Sequence, residues 1–180
     1  MKVIGIIGSP RKDGNTTYLM KRVLEVLDNN FETEMIFLKE LDINPCEGCH
    51  SCVNKGNCII EDDMQLIFEK LKKSSVILLS SPVYMGGTTS RLRIFMERTW
   101  HLRKGQLKNK IASYIVVGRR DLGVAVNEIE EYFSRIKALK LSGIIGYGFE
   151  KNDINKDHES LNNVARLSNQ ILNLYKTKNL

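Results

Sequence analysis

Short apolar runs alternate with longer segments that are apolar on one face only, and this alternation repeats five times along the chain. The runs cover residues 3–7, 32–38, 76–79, 111–117 and 141–147. The first and third are almost entirely apolar, which is typical of strands buried on both faces of a parallel sheet. The second carries Glu32 and Glu34, and its weaker apolarity predicts an edge strand. The pattern indicates an α/β protein.

The segments between the runs have the three- and four-residue spacing of a helical face. Asn15 or Thr16 is available as the N-cap of the first helix. Asp62 and Asp63 open the second helix at the positive end of its dipole. The five predicted apolar faces are Met20, Val23, Leu24 and Leu27; Met64, Ile67, Phe68 and Leu71; Leu92, Phe95, Met96 and Thr99; Ala125, Ile129, Tyr132, Phe133 and Ile136; and Leu161, Val164, Ala165, Ser168, Leu172 and Tyr175.

Five strand-helix units in this order predict a doubly wound, flavodoxin-like parallel sheet. Right-handed crossovers place the first strand in the centre and the second at an edge, which gives the order 2-1-3-4-5 with helices on both faces. The 180 residues, 42% of them apolar, suffice for one good core and hardly for two. Residues 1–180 are therefore predicted to form a single domain, with a cysteine-rich loop at 45–60.

The loop after the first strand, residues 8–17, has the composition of an anion-binding cradle. In a doubly wound sheet, ligands bind beyond the carboxyl ends of the strands where the strand order reverses, here between strands one and three. Hydroxyls, an amide and helix N-terminal N–H groups can surround a phosphate, and Arg11 can add charge. The glycine spacing fits neither the Walker A loop nor the dinucleotide fingerprint. The alternative is an ordinary turn with a good helix cap.

The loop after the third strand, residues 80–89, has features suited to a flat ring. Pro82 makes the exit from the strand rigid, Gly86 and Gly87 allow a close approach of backbone, and Tyr84 and Met85 can pack on the ring. Backbone N–H groups of this loop can bind the edge of such a ring. The alternative is a turn with one exposed aromatic residue.

All four cysteines lie in residues 46–58 with the spacing C-x2-C-x2-C-x5-C, and Gly56 lets the chain fold back before the last of them. Three closely spaced cysteines are typical of iron-sulfur ligation, whereas structural zinc more often uses two separate C-x2-C pairs. The candidate ligands are Cys46, Cys49, Cys52 and Cys58. A [4Fe-4S] cluster is the first interpretation, redox-active thiols without a cluster the second, and zinc the third. His50 is interpreted as an exposed loop residue.

The lengths of the apolar runs and the distribution of charge indicate where the protein is located and which partners it has. The apolar run at 3–7 is too short for a signal peptide, and no run approaches the ~20 apolar residues of a membrane helix. We expect a cytoplasmic protein without a membrane partner, in which thiols stay reduced. The formal charge is +6, but the 27 basic residues are spread along the chain without a long block. No nucleic-acid partner is therefore expected.

Several motifs together resemble the NADPH-dependent FMN reductase family, and within it the iron-sulfur flavoproteins. They are Gly8-Ser9-Pro10-Arg11 with Gly14-Asn15-Thr16, the cysteine run followed by Asp62-Asp63-Met64, Ser81-Pro82-Val83-Tyr84, and Leu92-x2-Phe95-x-Glu97-Arg98. The resemblance covers residues 1 to about 120 well. It implies that the FMN phosphate is bound by Ser9, Arg11, Asn15, Thr16 and Thr17. It implies further that the flavin ring meets Pro82, Val83, Tyr84, Met85 and Gly86.

One loop departs from the family pattern. Relatives often have a glycine-rich third loop after strand four, whereas this chain has Gly118-Arg119-Arg120-Asp121-Leu122-Gly123. Arg119 and Arg120 are interpreted as a solvated pair at a strand end, with binding of an anionic flavin or a nicotinamide phosphate as the alternative.

The predicted function is an FMN-dependent oxidoreductase that exchanges electrons between the flavin and a [4Fe-4S] cluster. The first alternative is an NAD(P)H-dependent FMN or quinone reductase without a cluster, and the second is a flavodoxin-like electron carrier or redox sensor. NAD(P)H is a possible donor, a ferredoxin-like protein is a possible partner, and the resemblance implies a homodimer or homotetramer. The cysteine loop follows strand two, so it is expected on the same edge of the sheet as the phosphate loop.

Overall fold

The computed structural model describes residues 2–178. Within them the strands are β1 Lys2–Ile7, β2 Glu32–Phe37, β3 Val76–Pro82, β4 Ile111–Gly118, β5 Leu139–Lys140 and β6 Ile144–Tyr147. The α-helices are α1 Asn15–Leu27, α2 Ser51–Lys55, α3 Met64–Lys73, α4 Ser90–Arg98, α5 Gly123–Arg135 and α6 His158–Lys178. Short 3-10 helices cover Leu38–Glu40, Trp100–Lys104 and Asp153–Lys156.

The strands form one parallel sheet in the order β2-β1-β3-β4-β5, with β6 also paired to β4. Strand β1 lies in the centre between β2 and β3, and its last residue, Ile7, pairs with Ser80. Strands β3 and β4 are buried along their whole length. The predicted order 2-1-3-4-5 is confirmed, so the loops after β1 and β3 leave the sheet side by side.

Two apolar cores lie on opposite faces of the sheet. Val3 and Ile7 point to the core formed with α1 and α6, and Ile4 and Ile6 point to the core formed with α3, α4 and α5. The alternation follows from the two-residue period of a strand. Each large apolar side chain that is fully buried contributes about 1.5–3 kcal/mol to stability. The prediction of helices on both faces is confirmed.

The fifth predicted strand, residues 141–147, is interrupted in the structure. Its place beside β4 is taken by the two short strands β5 and β6, which are separated by Leu141–Gly143. Arg166 of α6 donates hydrogen bonds to the carbonyl oxygens of Ser142 and Gly143, at 3.5 and 3.0 Å. These carbonyls therefore find a partner outside the sheet where the strand is broken.

Two local predictions are corrected at helix ends and faces. The N-cap of α1 is Gly14, rather than Asn15 or Thr16, and both of those residues lie inside the helix. On α6 the predicted face includes Ala165, which is exposed, whereas Leu167 and Ile171 are fully buried. The helix is thus rotated relative to the prediction, because its packing against α1 selects the larger side chains.

The cysteine segment, residues 42–62, has little regular structure. Residues 42–50 are irregular, α2 has five residues, and the backbone adopts the left-handed conformation at Gly48, His50 and Gly56. Such a segment needs side-chain contacts to hold its shape, because its backbone has few regular hydrogen bonds. No helix among residues 2–178 is long and apolar enough to cross a bilayer.

Gly143→Ala is expected to destabilise the protein by about 1–3 kcal/mol because an added Cβ would crowd the backbone of Tyr114. That Cβ would lie 2.4 Å from the Tyr114 carbonyl oxygen. The control is Gly123→Ala, where nothing lies within 4 Å of the added atom. We expect the control to be neutral or stabilising by up to about 1 kcal/mol. Urea unfolding followed by circular dichroism measures both, and equal midpoints would contradict the crowding at Gly143.

Candidate functional site

The first turn of α1 presents three backbone N–H groups that have no partner within the helix. Tyr18 N–H donates to Gly14 O at 2.9 Å and begins the helical ladder, and no side chain caps the helix. The N–H groups of Asn15, Thr16 and Thr17 come before that first bond. A helix N-terminus carries partial positive charge, so this turn can bind a phosphate group.

The loop leading to this turn is fixed by its own side chains. Ser9 Oγ donates to Arg11 O at 3.2 Å and accepts from Arg11 N at 3.1 Å. Thr17 Oγ1 donates to the same carbonyl at 3.0 Å. Thr16 is buried at the base of the turn, and the side chain of Arg11 extends into solvent. The loop thus combines a rigid backbone with one movable positive charge.

The side chain of Asn15 connects the phosphate loop to a distant segment. Its Nδ2 donates to Glu150 O at 2.9 Å, and its Oδ1 accepts from Asn152 N at 3.1 Å. Lys151 and Asp13 form a further ion pair between the same two segments. Both polar atoms of the Asn15 side chain are therefore used inside the protein, and what Asn15 offers a ligand is its backbone N–H.

The two loops after β1 and β3 are joined by Thr89. Its hydroxyl donates to Gly8 O at 2.9 Å and accepts from Leu92 N at 3.3 Å, so it also caps α4. Its backbone N–H donates to Ser81 Oγ at 3.0 Å. Gly8 N–H donates to Ser80 O at 2.8 Å. These bonds hold the two loops together as one rim.

The second loop contains a tight two-residue turn. Tyr84 and Gly87 exchange both backbone hydrogen bonds, at 2.9 and 3.1 Å, and the residues between them, Met85 and Gly86, have φ values of 49° and 83°. Positive φ at both central positions is typical of a type I′ turn, and glycine adopts it at little cost. Tyr84 is half-exposed and Met85 is completely exposed. An aromatic ring and a flexible thioether thus project from a rigid turn.

The other residues predicted for this loop, Pro82 and Val83, lie at the end of β3 and directly after it. Pro82 is the last residue of β3 and pairs with Val117, and Val83 N–H donates to Val117 O at 2.9 Å. Beyond the turn, Glu128 of α5 accepts from the backbone and hydroxyl of Thr88 at 3.0 and 2.8 Å. Burial raises the pKa of Glu128, but these hydrogen bonds and Arg93 outweigh it, so the pKa is lowered and the anchor stays ionised.

All four cysteines line one cavity of about 480 Å³. Glu97 and Trp100, at the C-terminal end of α4 and just beyond it, complete the wall together with Ile59. Arg103 stacks over the ring of Trp100 at 3.8 Å, and Lys104 Nζ donates to Val53 O at 3.0 Å. The cavity thus lies between the cysteine segment and the C-terminal end of α4. The second loop lies at the other end of α4, and the nine residues of this helix span about 13 Å.

The thiols differ in their surroundings. Hydrogen bonds from the hydroxyl and backbone of Ser51 lower the pKa of Cys49. Burial raises the pKa of Cys52, and the neighbouring Cys58 raises it further. Cys46 and Cys49 are exposed, whereas Cys52 and Cys58 are half-buried. The four sulfurs are soft metal ligands. The carboxylates that line the same cavity, and that could compete with them for a metal, are those of Glu47 and Glu97.

A fully buried ion pair fastens the cysteine segment, which forms this cavity, to helix α4. The side chains of Arg98 and Asp62 are 0% and 1% exposed, and Arg98 Nη2 donates to Asp62 Oδ1 at 3.0 Å. Asp62 also accepts from the backbone N–H groups of Asn44 and Met64, at 2.9 and 3.0 Å. Burial raises the pKa of Asp62, but these hydrogen bonds outweigh it and the pKa is lowered. The pair therefore stays charged at neutral pH.

Residues 1–148 match the family described as NADPH-dependent FMN reductase. The chain belongs to the NADPH-dependent FMN reductase family. An iron-sulfur flavoprotein of Methanocaldococcus jannaschii is 42% identical over a match 138 positions long, gaps included, which covers 74% of this chain and 72% of that protein. An iron-sulfur flavoprotein of Archaeoglobus fulgidus is 30% identical over a match of 190 positions, gaps included, which covers 99% of this chain and 82% of the relative.

The family makes this protein an FMN-dependent oxidoreductase, as the loop motifs predict. Among solved structures, a flavodoxin from the domain Archaea has a TM-score of 0.62 at 15% identity, and the match covers 98% of this chain and 99% of the flavodoxin. At this identity the likeness concerns the fold alone. It agrees with the flavodoxin-like sheet described above.

Several residues that shape the candidate site have no role predicted for them from the sequence. Thr89 and Glu128 fix the loops, and Arg98 and Asp62 fix the cysteine segment. Asp62 was assigned only to a helix dipole. A signal for Arg98 was present, because it follows Phe95 by three residues and so lies beside the apolar face of α4. A charged residue at such a position indicates a buried partner.

Asp62→Asn is expected to lower the free energy of unfolding by about 3–5 kcal/mol at pH 7, because Arg98 is left buried without a counter-charge. The folded-state pKa of Asp62 is below its unfolded value, so its contribution is complete above about pH 5 and is lost as the pH falls through the folded-state pKa. The stability difference between wild type and variant should therefore shrink in acid. Urea titrations of both proteins between pH 7 and pH 3 measure this difference in the free energy of unfolding.

The matched control for this prediction is Glu131→Gln. Glu131 pairs with Arg135 on the exposed face of α5, where the side chains are 60% and 70% exposed. Removing this charge should change stability by less than about 0.5 kcal/mol. If the two variants behave alike at pH 7, the buried pair does not carry the stability assigned to it.

Proposed function

We propose that this protein is an electron-transfer oxidoreductase that carries both FMN and a [4Fe-4S] cluster. The observation that carries the proposal is that all four cysteines of the chain line one cavity, which abuts the helix that begins at the second loop. FMN, when bound, accepts electrons in pairs and releases them singly, and a cluster transfers one electron at a time. The chain supplies the binding, orientation and electrostatic surroundings of both groups.

The phosphate of FMN fits the N-terminal turn of α1. The backbone N–H groups of Asn15, Thr16 and Thr17 precede the first helical hydrogen bond, and the hydroxyl of Thr16 lies at the same turn. Ser9 and Thr17 shape the loop through their bonds to Arg11. The Arg11 side chain, free to move in solvent, supplies the counter-charge. Together these groups account for the five residues predicted from the sequence, although Asn15 contributes through its backbone.

The flavin ring fits the rim beside the second loop. Pro82 and Val83 form the floor, because both are held to β4 through Val117. The turn at Tyr84, Met85 and Gly86 offers an exposed ring and thioether for packing against an aromatic surface. Rigid placement of these groups by Thr89 and Glu128 lowers the entropy lost on binding.

The spacing of the cysteines favours a cluster of several irons over one zinc ion. Three closely spaced cysteines with a fourth further along are typical of iron-sulfur ligation, whereas structural zinc more often uses two separate C-x2-C pairs. The structure brings all four to one cavity. This supports iron-sulfur over zinc ligation by Cys46, Cys49, Cys52 and Cys58. Among the described residues, no three His, Cys, Asp or Glu side chains are already placed to hold a metal ion.

The names of both relatives described above also support a cluster. The net charge of +6 favours an acidic protein such as a ferredoxin as electron partner. NAD(P)H as donor, and assembly as a homodimer or homotetramer, are part of the same proposal. Light scattering of the purified protein measures its assembly.

Protein purified without oxygen is expected to contain FMN and about four irons per chain, with broad absorption near 400 nm besides the flavin bands. Cys52→Ser should lose most of the iron and keep the FMN, because the phosphate and ring contacts lie elsewhere. Lys55→Ala, an exposed change in the same segment, is the control and should keep both. Flavin without iron or sulfide in the wild type, with rapid NAD(P)H oxidation unaffected by Cys52→Ser, would instead establish a reductase without a cluster.

Arg11→Ala is expected to weaken FMN binding about tenfold, because one charge-assisted contact to the phosphate is lost. Riboflavin, which has no phosphate, should bind the variant and wild type equally. Quenching of flavin fluorescence measures both affinities. Lys21→Ala removes the same charge from an exposed position on α1 and serves as the control. Equal weakening of FMN and riboflavin would argue against Arg11 as a phosphate contact.

A further inference from the structure

Arg98 contacts both ends of the cysteine segment with one guanidinium group. Nη1 donates to Asn44 O at 2.7 Å, and Asn44 lies two residues before the first cysteine. Nη2 donates to Ile60 O at 3.4 Å, and Ile60 lies two residues after the last cysteine. The same Nη2 lies 3.6 Å from Cys58 Sγ, within the range of an N–H to sulfur hydrogen bond. One side chain thus closes the segment into a loop.

The guanidinium is held in its charged form where it lies. Burial lowers the pKa of Arg98, but its interactions, chiefly the hydrogen bond to Asp62, outweigh burial, and the pKa is raised. Two parallel bonds to Asp62 fix the plane of the group. The carboxylate of Asp62 therefore balances the positive charge, and Nη2 of the same guanidinium lies 3.6 Å from Cys58 Sγ.

Neighbouring contacts also join the two limbs of the segment. Asp63 Oδ2 accepts from Asp42 N at 2.7 Å, and Asp63 N donates to Asp42 O at 3.1 Å. Gln65 Nε2 donates to the carbonyl oxygens of Cys58 and Ile60, at 3.1 and 2.7 Å, and holds the exit. Arg98 differs from these residues because it fastens both limbs to α4.

We propose that Arg98 is the positioning residue for the cysteine ligands, and that its N–H bond to Cys58 Sγ raises the reduction potential of the cluster they hold. The claim about the reduction potential rests on the proposed function, because it requires the cluster. Reduction adds negative charge to a cluster and its sulfurs, and an N–H donor or a positive charge beside a sulfur stabilises that state. Asp62 opposes this effect because its negative charge lies against the same guanidinium.

Replacing Arg98 and replacing Asp62 should therefore shift the midpoint potential of the cluster in opposite directions. Arg98→Met removes the donor and the positive charge, so the midpoint potential of the cluster falls. Asp62→Asn leaves the positive charge uncompensated, so the potential rises. Loosening of the segment, which both variants cause, cannot produce shifts of opposite sign. Anaerobic redox titration of the reconstituted proteins measures both potentials.

The positioning role is tested in protein that contains no cluster. Arg98→Lys keeps the charge and removes the planar fork, so hydrogen exchange of the backbone amides in residues 42–62 should become at least about tenfold faster. Exchange in β1 and β3 should not change, which separates a local effect from general loss of stability. After reconstitution, the iron content of this variant should fall while its FMN content stays at the wild-type level.

Arg91→Met is the matched control, since Arg91 is an exposed arginine on the same helix. It should leave exchange, iron content and potential as in the wild type. Potentials that shift in the same direction in Arg98→Met and Asp62→Asn, or do not shift, overturn the redox half of the proposal. Unchanged exchange in Arg98→Lys overturns the positioning half. If wild-type protein takes up no iron, the proposed function and the redox half fail together, and the exchange experiment still decides the positioning half.

Discussion

The close passage of Gly8 beside Ser80 is the contact on which the rim of the sheet depends. A Cβ at Gly8 would lie 2.9 Å from the carbonyl oxygen of Ser80 and 3.0 Å from Cβ of Leu92. Because no side chain stands between them, the loops after β1 and β3 leave the sheet in contact, and Thr89 can reach across to Gly8 O. The N-terminal turn of α1 and the turn at Tyr84 are held in fixed relative positions for this reason. Neither loop could form this rim alone.

The central strands could be predicted from the sequence because a continuous apolar run has one stable solution in an α/β protein, burial on both faces. The break between β5 and β6 could not be predicted, because it follows from the crowding of Gly143 by the ring and backbone of Tyr114 on a neighbouring strand. The face of α6 was partly wrong for a related reason. Ser168 is buried as predicted, but Ala165 is small enough to lie on either side, and contact with α1 decides that Leu167 and Ile171 point inward.

The turns after β1 and β3 could be predicted because glycine, proline and hydroxyl residues leave a local signature at such positions. The role of the Asn15 side chain could not be read in this way, because its partner Glu150 is 135 residues away. For Arg98, the spacing from Phe95 places it beside the apolar face of α4, but its partner Asp62 is 36 residues away and cannot be read from that spacing. An arginine at the end of a helix is usually solvated and favourable there, and its burial arises only when the cysteine segment folds over it.

Helix α4 has nine residues, capped at its start by Thr89 and closed at its end by Arg98. The four cysteines precede it in the chain, and Cys58 lies forty residues before Arg98. A growing polypeptide therefore exposes all its thiols before the side chain that organises them has been made. Until α4 docks, the bonds of Asp42 to Asp63 and of Asn44 to Asp62 can join the ends of the segment, but nothing from α4 holds them in place. The ligand set proposed for the cluster would therefore be complete only after α4 has docked on the central strands.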